Sequence, residues 1–443
     1  MPSLSAGHAL DLEKFLKSLK GQPLEASVNS LVSLLKRRQI KGSEPCAVAT
    51  AHILLQVVAR SKWHDVDGLL INVSRTGRRL VDAQPNELVI GNIVRRVLGL
   101  IRDEASEDRG DAASESASDA PTPTDTAPPT SISIGQQWTS RRFDSVADAT
   151  PPSRPPIVSS YSSINPPKSL FHLLSTSPPA GGDVSPFRNS GASTPTWRGN
   201  SSQIHALRSE VIDGIEEIKD EISQVDDQIA ASAEVQIHPG DLVLVHQPST
   251  TVERFILRAA QKRKFTVLIA MAPPRRLHAA ESQHAAFRKK LSAAGIAVVN
   301  LMNGGLMAYM SRVNKVVIGA RAIVATGGVV ADAGSAAIAR AAKEQGTAVV
   351  VLSGVYKLSP ESPFDESSLI EWGDSSTFVS FADGPLVCGA EIRTALTELI
   401  PPELVDTYIT NLGTHSRDHL SSLISDHYKR EDADFHIWEE ADP

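Results

Sequence analysis

The sequence predicts an α+β chain of two folded parts, an N-terminal helical domain followed by an α/β domain with a mostly parallel sheet. Three observations predict it. Apolar residues recur at three- and four-residue steps through the first hundred positions. A single apolar stripe then runs for seven turns between residues 201 and 237. After residue 239, short apolar runs alternate with amphipathic helical segments. The first two patterns are helical, and the third is that of strands buried on both faces by helices.

In chain order, residues 1–102 form the helical domain. Leu12, Phe15, Leu16 and Leu19 begin the pattern, Val28, Leu31, Leu34 and Leu35 continue it, and Val48, His52, Leu55 and Ala59 follow. Pro85 and Asn86 open a last helix that sets Leu88, Ile90, Ile93, Val94, Val97, Leu98 and Ile101 on one broad face. Lys36, Arg37, Arg38, Arg95 and Arg96 are expected on the solvated side. Residues 103–200 are rich in Pro, Ser, Thr, Asp and Gly and poor in apolar residues. Such a segment buries too little surface to offset backbone ordering of about 1–2 kcal/mol per residue, so it is expected to be a disordered insertion. Ser169–Leu174 is the one stretch within it expected to dock on the body. Residues 201–238 form a long connecting helix with Ile204, Leu207, Val211, Ile215, Ile218, Ile222, Val225 and Ile229 along one side. Residues 239–430 supply strands at 241–246, 265–270, 296–300, 315–319 and 348–352. Helices lie at 252–262, 283–294, 305–310 and 335–345. Loops and a Pro401–Pro402 turn follow, and residues 431–443 are an acidic tail.

Charge is uneven along the chain. The whole carries a formal net charge of −7, yet residues 1–102 and 251–300 are both basic. Basic surfaces with acidic appendages suit protein partners or RNA. The Arg254–Lys290 set lacks the exposed aromatic interleaving of a single-strand binder, since Phe255, Phe265 and Phe287 fit the core pattern, so no nucleic acid is expected. Two cysteines, Cys46 and Cys388, have no paired spacing, which excludes a disulfide framework and a zinc ribbon and fits the reducing cytosol. No signal peptide and no apolar run of membrane-spanning length is read.

Chemistry in an open α/β sheet sits beyond the carboxyl ends of the strands. No G-x-G-x-x-G follows the first strand, and no phosphate-binding loop, G-x-S-x-G or H-E-x-x-H occurs. No cofactor and no metal is therefore expected. Ser249, Thr250 and Thr251 read as the cap of the next helix, and Gly327–Gly328 as a tight turn. Asp432, Asp434 and His436 read as solvated tail residues.

Five stretches carry a resemblance: AQPNELVIGNIVRRVLGLIRDE (Ala83–Glu104), AAQKRKFTVLIAMAPP (Ala259–Pro274), MSRVNKVVIGARAIVATGG (Met310–Gly328), YKLSP (Tyr356–Pro360) and PPELVDTYITNLG (Pro401–Gly413). In order and spacing they resemble the regulatory subunits of the exchange factor for translation initiation factor 2, most of all the beta type. The resemblance implies a C-terminal domain of Rossmann-like form. It implies a heterodimer with a delta-like subunit inside a complex that also holds alpha, gamma and epsilon subunits. That complex swaps GDP for GTP on initiation factor 2, binding its alpha subunit and sensing its phosphorylation. The same α/β domain is similar to sugar-phosphate isomerases such as methylthioribose-1-phosphate isomerase, which is the second reading. Those enzymes use a cysteine after one strand and an aspartate after another; the matching positions here are Gln247, after His246, and Arg321, after Gly319–Ala320. Neither can supply a nucleophile or a base near neutral pH. The resemblance also points to the acidic side of the 201–237 helix, with Glu210, Glu217 and His238 as the residues expected to meet the substrate protein. Met302, Leu306, Met307, Tyr309 and Met310 are expected to form a subunit interface.

Overall fold

The fold is taken from a computed structural model that describes residues 12–19, 21–117, 201–270, 284–301, 305–362, 365–373, 379, 389 and 391–433, with backbone alone at 107–117, 201–202 and 366. Ser169–Leu174, Met302, Cys388, Asp434 and His436 lie outside the described residues.

The helical layer comprises α1 (residues 12–18), α2 (Leu24–Lys36), α3 (Ser43–Arg60), α4 (Val66–Ala83), α5 (Leu88–Ala117) and α6 (Ser201–Ala231), with a short α7 (Ala233–Gln236). Asp65 caps α4 by accepting the Gly68 amide at 2.8 Å. Most of α3 is buried, including Cys46, Ala49, Ile53, Leu54 and Val57. The stripe expected to face the core, Val48, His52, Leu55 and Ala59, is instead its half-buried side, because a helix apolar all round sits in the middle of the bundle. Leu207, Val211, Ile215, Ile218, Ile222, Val225 and Ile229 of α6 are all buried, as their spacing requires.

Among the described residues twelve strands follow: β1 (Leu242–His246), β2 (Thr266–Ala270), β3 (Ala297–Leu301), β4 (Lys315–Gly319), β5 (Ala322–Ile323), β6 (Val329–Asp332), β7 (Ala348–Leu352), β8 (Trp372–Gly373), β9 (Thr394–Ala395), β10 (Thr397–Ile400), β11 (Thr407–Thr410) and β12 (Gly413–His415). Seven form one sheet in the order β12-β11-β7-β4-β1-β2-β3, parallel except for β12. Among the helices, α8 (Thr250–Lys262) and α9 (Ala285–Ala293) lie on the face shared with α6. Helices α10 (Leu306–Met310), α11 (Ser335–Glu344) and α12 (Arg417–His427) cover the other, and α13 (Arg430–Ala433) ends the described chain. The two-residue period of a strand divides the core: Val243 and Val245 face the helical layer, and Leu244 faces α11 and α12. An antiparallel sheet β10-β6-β5 sits beside the main one.

Five expectations need correction. The helix expected to stop at Arg102 runs on to Ala117, so the span 103–117 is helical. Arg95, expected in solvent, is buried: its guanidinium bonds Glu361 Oε1 at 2.7 Å and the Ala433 carbonyl at 3.0 Å. Arg96 is mostly covered and pairs with Glu221 at 2.6 Å. Asp432 is buried against Arg102 at 3.1 Å, so the tail begins by docking on α5. The segment after 400, expected as loops, instead supplies β11, β12 and α12. Its strands are too short, and the apolar stripe of α12 (Leu420, Leu423, Ile424) too narrow, to stand out by periodicity.

Candidate functional site

The chain leaves β1 toward β2 and β3 on one side, then returns to build β4, β7 and β11 on the other. The strand order reverses between β1 and β4, and that is where such sheets open a crevice. Gln247 and Arg321 both lie there. The register Val245↔Val317 sets the two strand ends side by side. The crevice wall is tight. Gly319 leaves no room for a methyl, since a Cβ there would stand 2.6 Å from Ser249 Oγ. Ser249 caps α8 by accepting the Val252 amide.

Gln247 adopts a left-handed conformation with φ +39°, unusual for a residue with a side chain. Its amide nitrogen is 3.4 Å from the Ala333 carbonyl. His246 is buried, with Nε2 2.9 Å from the Ala333 carbonyl and Nδ1 3.3 Å from that of Ala270. Both ring nitrogens thus face backbone, and neither is open to a substrate. Gly334 makes this possible: at φ +101°, a side chain there would meet His246 Nε2 at 2.9 Å.

Arg321 is held by carboxylates. Its Nη2 lies 2.8 Å from Asp332 Oδ1, and its Nη1 lies 3.5 Å from Glu371 Oε2. Glu371 also pairs with Arg38, a residue in the α2–α3 corner at φ +53°. The participation of Arg38, Asp332 and Glu371 had no local signal, since they lie on different elements, Asp332 11 and Glu371 50 residues from Arg321 and Arg38 hundreds of positions away. Below them lies Lys357 of the YKLSP stretch. Its buried ammonium donates to the Ala320 carbonyl at 3.1 Å, and burial pulls its pKa down against the raising fields of Asp226, Glu87 and Glu44. Burial pushes the Glu87 carboxyl up, opposed by Arg321. Cys46, the one described thiol, is fully buried, and burial raises its pKa well above the ordinary value, so it is no nucleophile. Arg38, Arg321, Asp332, Glu371 and Lys357 are each committed to an internal partner.

The acidic side of α6 forms a second location. Glu210 and Glu217 are seven residues apart, about 10 Å along one helix face. Glu217 is exposed and forms no ion pair among the described residues. It stands on the wall of a cleft of about 490 Å³ whose floor includes Leu100 and Ile218 and whose far side is Asp426 and His427, from the last turn of α12. Glu221 is taken up by Arg96, and Lys429 by Asp103. Burial holds the His427 imidazole below its usual value, reinforced by Arg96 and opposed by Glu221 and Asp426. His238 is not part of this cleft. It follows α7, 3.7 Å from Asp241, beyond the end of α6, which itself runs about 20 Å from Glu217 to Ala231.

The remaining expectations divide. Arg254, Arg258 and Lys262 are matched by Asp227 and Glu234, so this part of the basic set is neutralised within the chain. Of the apolar patch, Met310 is core, Leu306 and Tyr309 are half-buried, and Met307 is exposed. Among the described residues no helix is long and apolar enough to cross a membrane, and no group of three metal-ligating side chains occurs.

Comparison with known proteins adds the lineage. Residues 39–416 match the initiation factor 2 subunit family. The eIF2B subunit beta of Schizosaccharomyces pombe is 34% identical over 92% of this chain and 96% of its own length. A crystal structure of the tetrameric eIF2B-beta2-delta2 complex of C. thermophilum contains a chain with 42% identity, covering 96% of this chain and 100% of that one at a TM-score of 0.62. More remotely, the ribose 1,5-bisphosphate isomerase of Pyrococcus furiosus is 26% identical over 48% of this chain and 65% of that enzyme. The chain belongs to the initiation factor 2 subunit family, on its eIF2B beta side.

Proposed function

We propose that the chain is a non-catalytic regulatory subunit of a cytosolic exchange factor for initiation factor 2. It pairs with a delta-type chain within a complex that also holds alpha, gamma and epsilon subunits. The observation that carries this reading is the state of the crevice. Where the related isomerases are expected to place a thiol and a carboxylate, this chain has Gln247 and Arg321, one held against backbone and the other by carboxylates. Similarity to eIF2B beta chains over nine-tenths of the length supports the assembly role.

Within that role, Glu210 and Glu217 are proposed to meet basic groups on the alpha subunit of initiation factor 2, whose phosphorylation the complex reads. His238 is proposed as a separate contact, since it stands far along the helix. The exposed Met307 and its half-buried neighbours belong to the proposed subunit interface.

The isomerase reading is kept because the α/β half has isomerase relatives. Two measurements separate the readings. Co-expression with the delta-type chain of the same organism, followed by sedimentation, is expected to give a stable hetero-oligomer. Incubation with ribose 1,5-bisphosphate or methylthioribose 1-phosphate is expected to give no product. Turnover of either compound, or two chains that sediment separately at micromolar concentration, overturns the proposal.

A further inference from the structure

We propose that His415 and His419 form a two-imidazole site for a divalent transition-metal ion of the zinc, nickel and copper class, which clips the edge strand β12 to the first turn of α12. The placement of the two rings carries this. His415 ends β12, paired with Tyr408 of β11, and His419 lies four positions on, at the start of α12. Their Nδ1 atoms are 2.9 Å apart, with ring centres at 5.1 Å and planes within 15°. Two nitrogens on one ion, each about 2.0–2.1 Å from it, stand about 2.9 Å apart at a right angle and about 3.3 Å apart at the tetrahedral angle. The pair therefore needs to open by less than about half an ångström to chelate. Imidazole is the ligand that this class of metals shares.

His415 is the fixed half of the site. It is 8% exposed, and its Nε2 lies 2.9 Å from Thr410 Oγ1. That oxygen also accepts the Leu412 amide at 3.1 Å, and its own hydrogen can point to the Gly413 carbonyl at 3.4 Å. An Nε2–H donated to Thr410 leaves the Nδ1 lone pair turned to His419, the way metal-bound imidazoles are oriented by an outer partner. Burial, helped by His419, holds the His415 pKa below its usual value, which favours the neutral ring that a metal requires. His419 is exposed and supplies the adjustment. With both rings neutral, one Nδ1 carries the hydrogen between them. An entering ion displaces it: the hydrogen of His419 passes through solvent from Nδ1 to Nε2, no net proton is lost, and both Nδ1 lone pairs go to the metal. Water completes the coordination, since no group of three ligating side chains occurs among the described residues. Arg417, on the same turn, is drawn off by Glu403 at 3.6 Å. The positive end of the α12 dipole opposes a cation, and Asp418 in that turn offsets it.

The test uses the full chain, free of any histidine tag and stripped with a chelator. Zinc is titrated calorimetrically near neutral pH, and melting is followed with zinc and after chelator is added back. The wild type is expected to show one saturable site and a zinc-dependent rise in melting temperature that the chelator reverses. His419→Gln is expected to weaken zinc binding by at least about tenfold and to remove the rise. Its metal-free melting should stay close to that of the wild type, because the side chain is exposed. His64→Gln, at an exposed histidine on the α3–α4 corner, is expected to keep the full zinc response. Equal zinc affinity in H419Q and wild type, or the absence of a saturable site in the wild type, overturns the proposal.

Discussion

Gly77 on α4 offers a sharp test of how the helical layer is packed. On helix propensity alone, Gly77→Ala should stabilise the chain by about 1 kcal/mol. The structure predicts the opposite. A Cβ at Gly77 would lie 2.5 and 2.9 Å from the two methyls of Val94 and 3.3 Å from its Cβ. Val94 is fully buried on α5, and a β-branched side chain in a helix has essentially one rotamer, so it cannot turn aside. The helices must separate, and overpacking of this kind costs about 1–3 kcal/mol. With both methyls inside contact distance, the upper part of that range applies, and the net loss should be about 1–2 kcal/mol. Gly99→Ala is the control: it lies in the middle of α5 with no atom within 4 Å of the new carbon, so it should gain about 0.5–1 kcal/mol. Urea midpoints of the two variants, at unchanged slope, measure both. A G77A protein that unfolds at or above the wild-type midpoint would refute the close α4–α5 contact.

Three further outcomes follow from the same packing and burial. Arg95→Met should cost about 2–4 kcal/mol, because it strands Glu361 and the Ala433 carbonyl, with Glu361 partly rescued by water; chemical denaturation reads this. Burial lowers the pKa of His52, His284, His415 and His427, so the unfolded chain takes up these protons first. Stability is then complete above the ordinary imidazole value of 6.5 and is lost as the pH falls below it; melting between pH 7 and 5 should show the decline, and His427→Gln should flatten it. Glu217→Lys should leave folding within about 0.5 kcal/mol, since the side chain is exposed and unpaired, while weakening capture of initiation factor 2 by the assembled complex. Unchanged capture removes Glu217 from the binding face.

How much was legible in the sequence depended on the range of the interaction that sets each feature. The α6 stripe and the runs of β1, β2, β4 and β7 declare themselves because burial repeats within the element. Gln247 and Arg321 were found because each follows a readable strand. What filled the crevice was not readable: Glu371 lies 50 residues from Arg321 and hundreds from Arg38. The solvated reading of Arg95 and Asp432 failed for the same reason. A charge looks exposed until a partner from the other end of the chain covers it, as Ala433 and Glu361 cover Arg95 and Arg102 covers Asp432. Strand β11 is short and has no periodicity to detect; its place is set by pairing with β7.

Helices α5 and α6 meet with Arg96 opposite Glu221 and Leu100 opposite Gly214, and so run in opposite directions side by side. The long stretch between them therefore leaves and re-enters the body on adjoining supports. Closing the chain between such neighbouring helix ends depends only weakly on the number of residues between them, about 0.6 kcal/mol for each doubling. Residues added or removed between the two helix ends are expected to leave both helices folded, which makes this position a natural one for splicing in a reporter or an affinity handle.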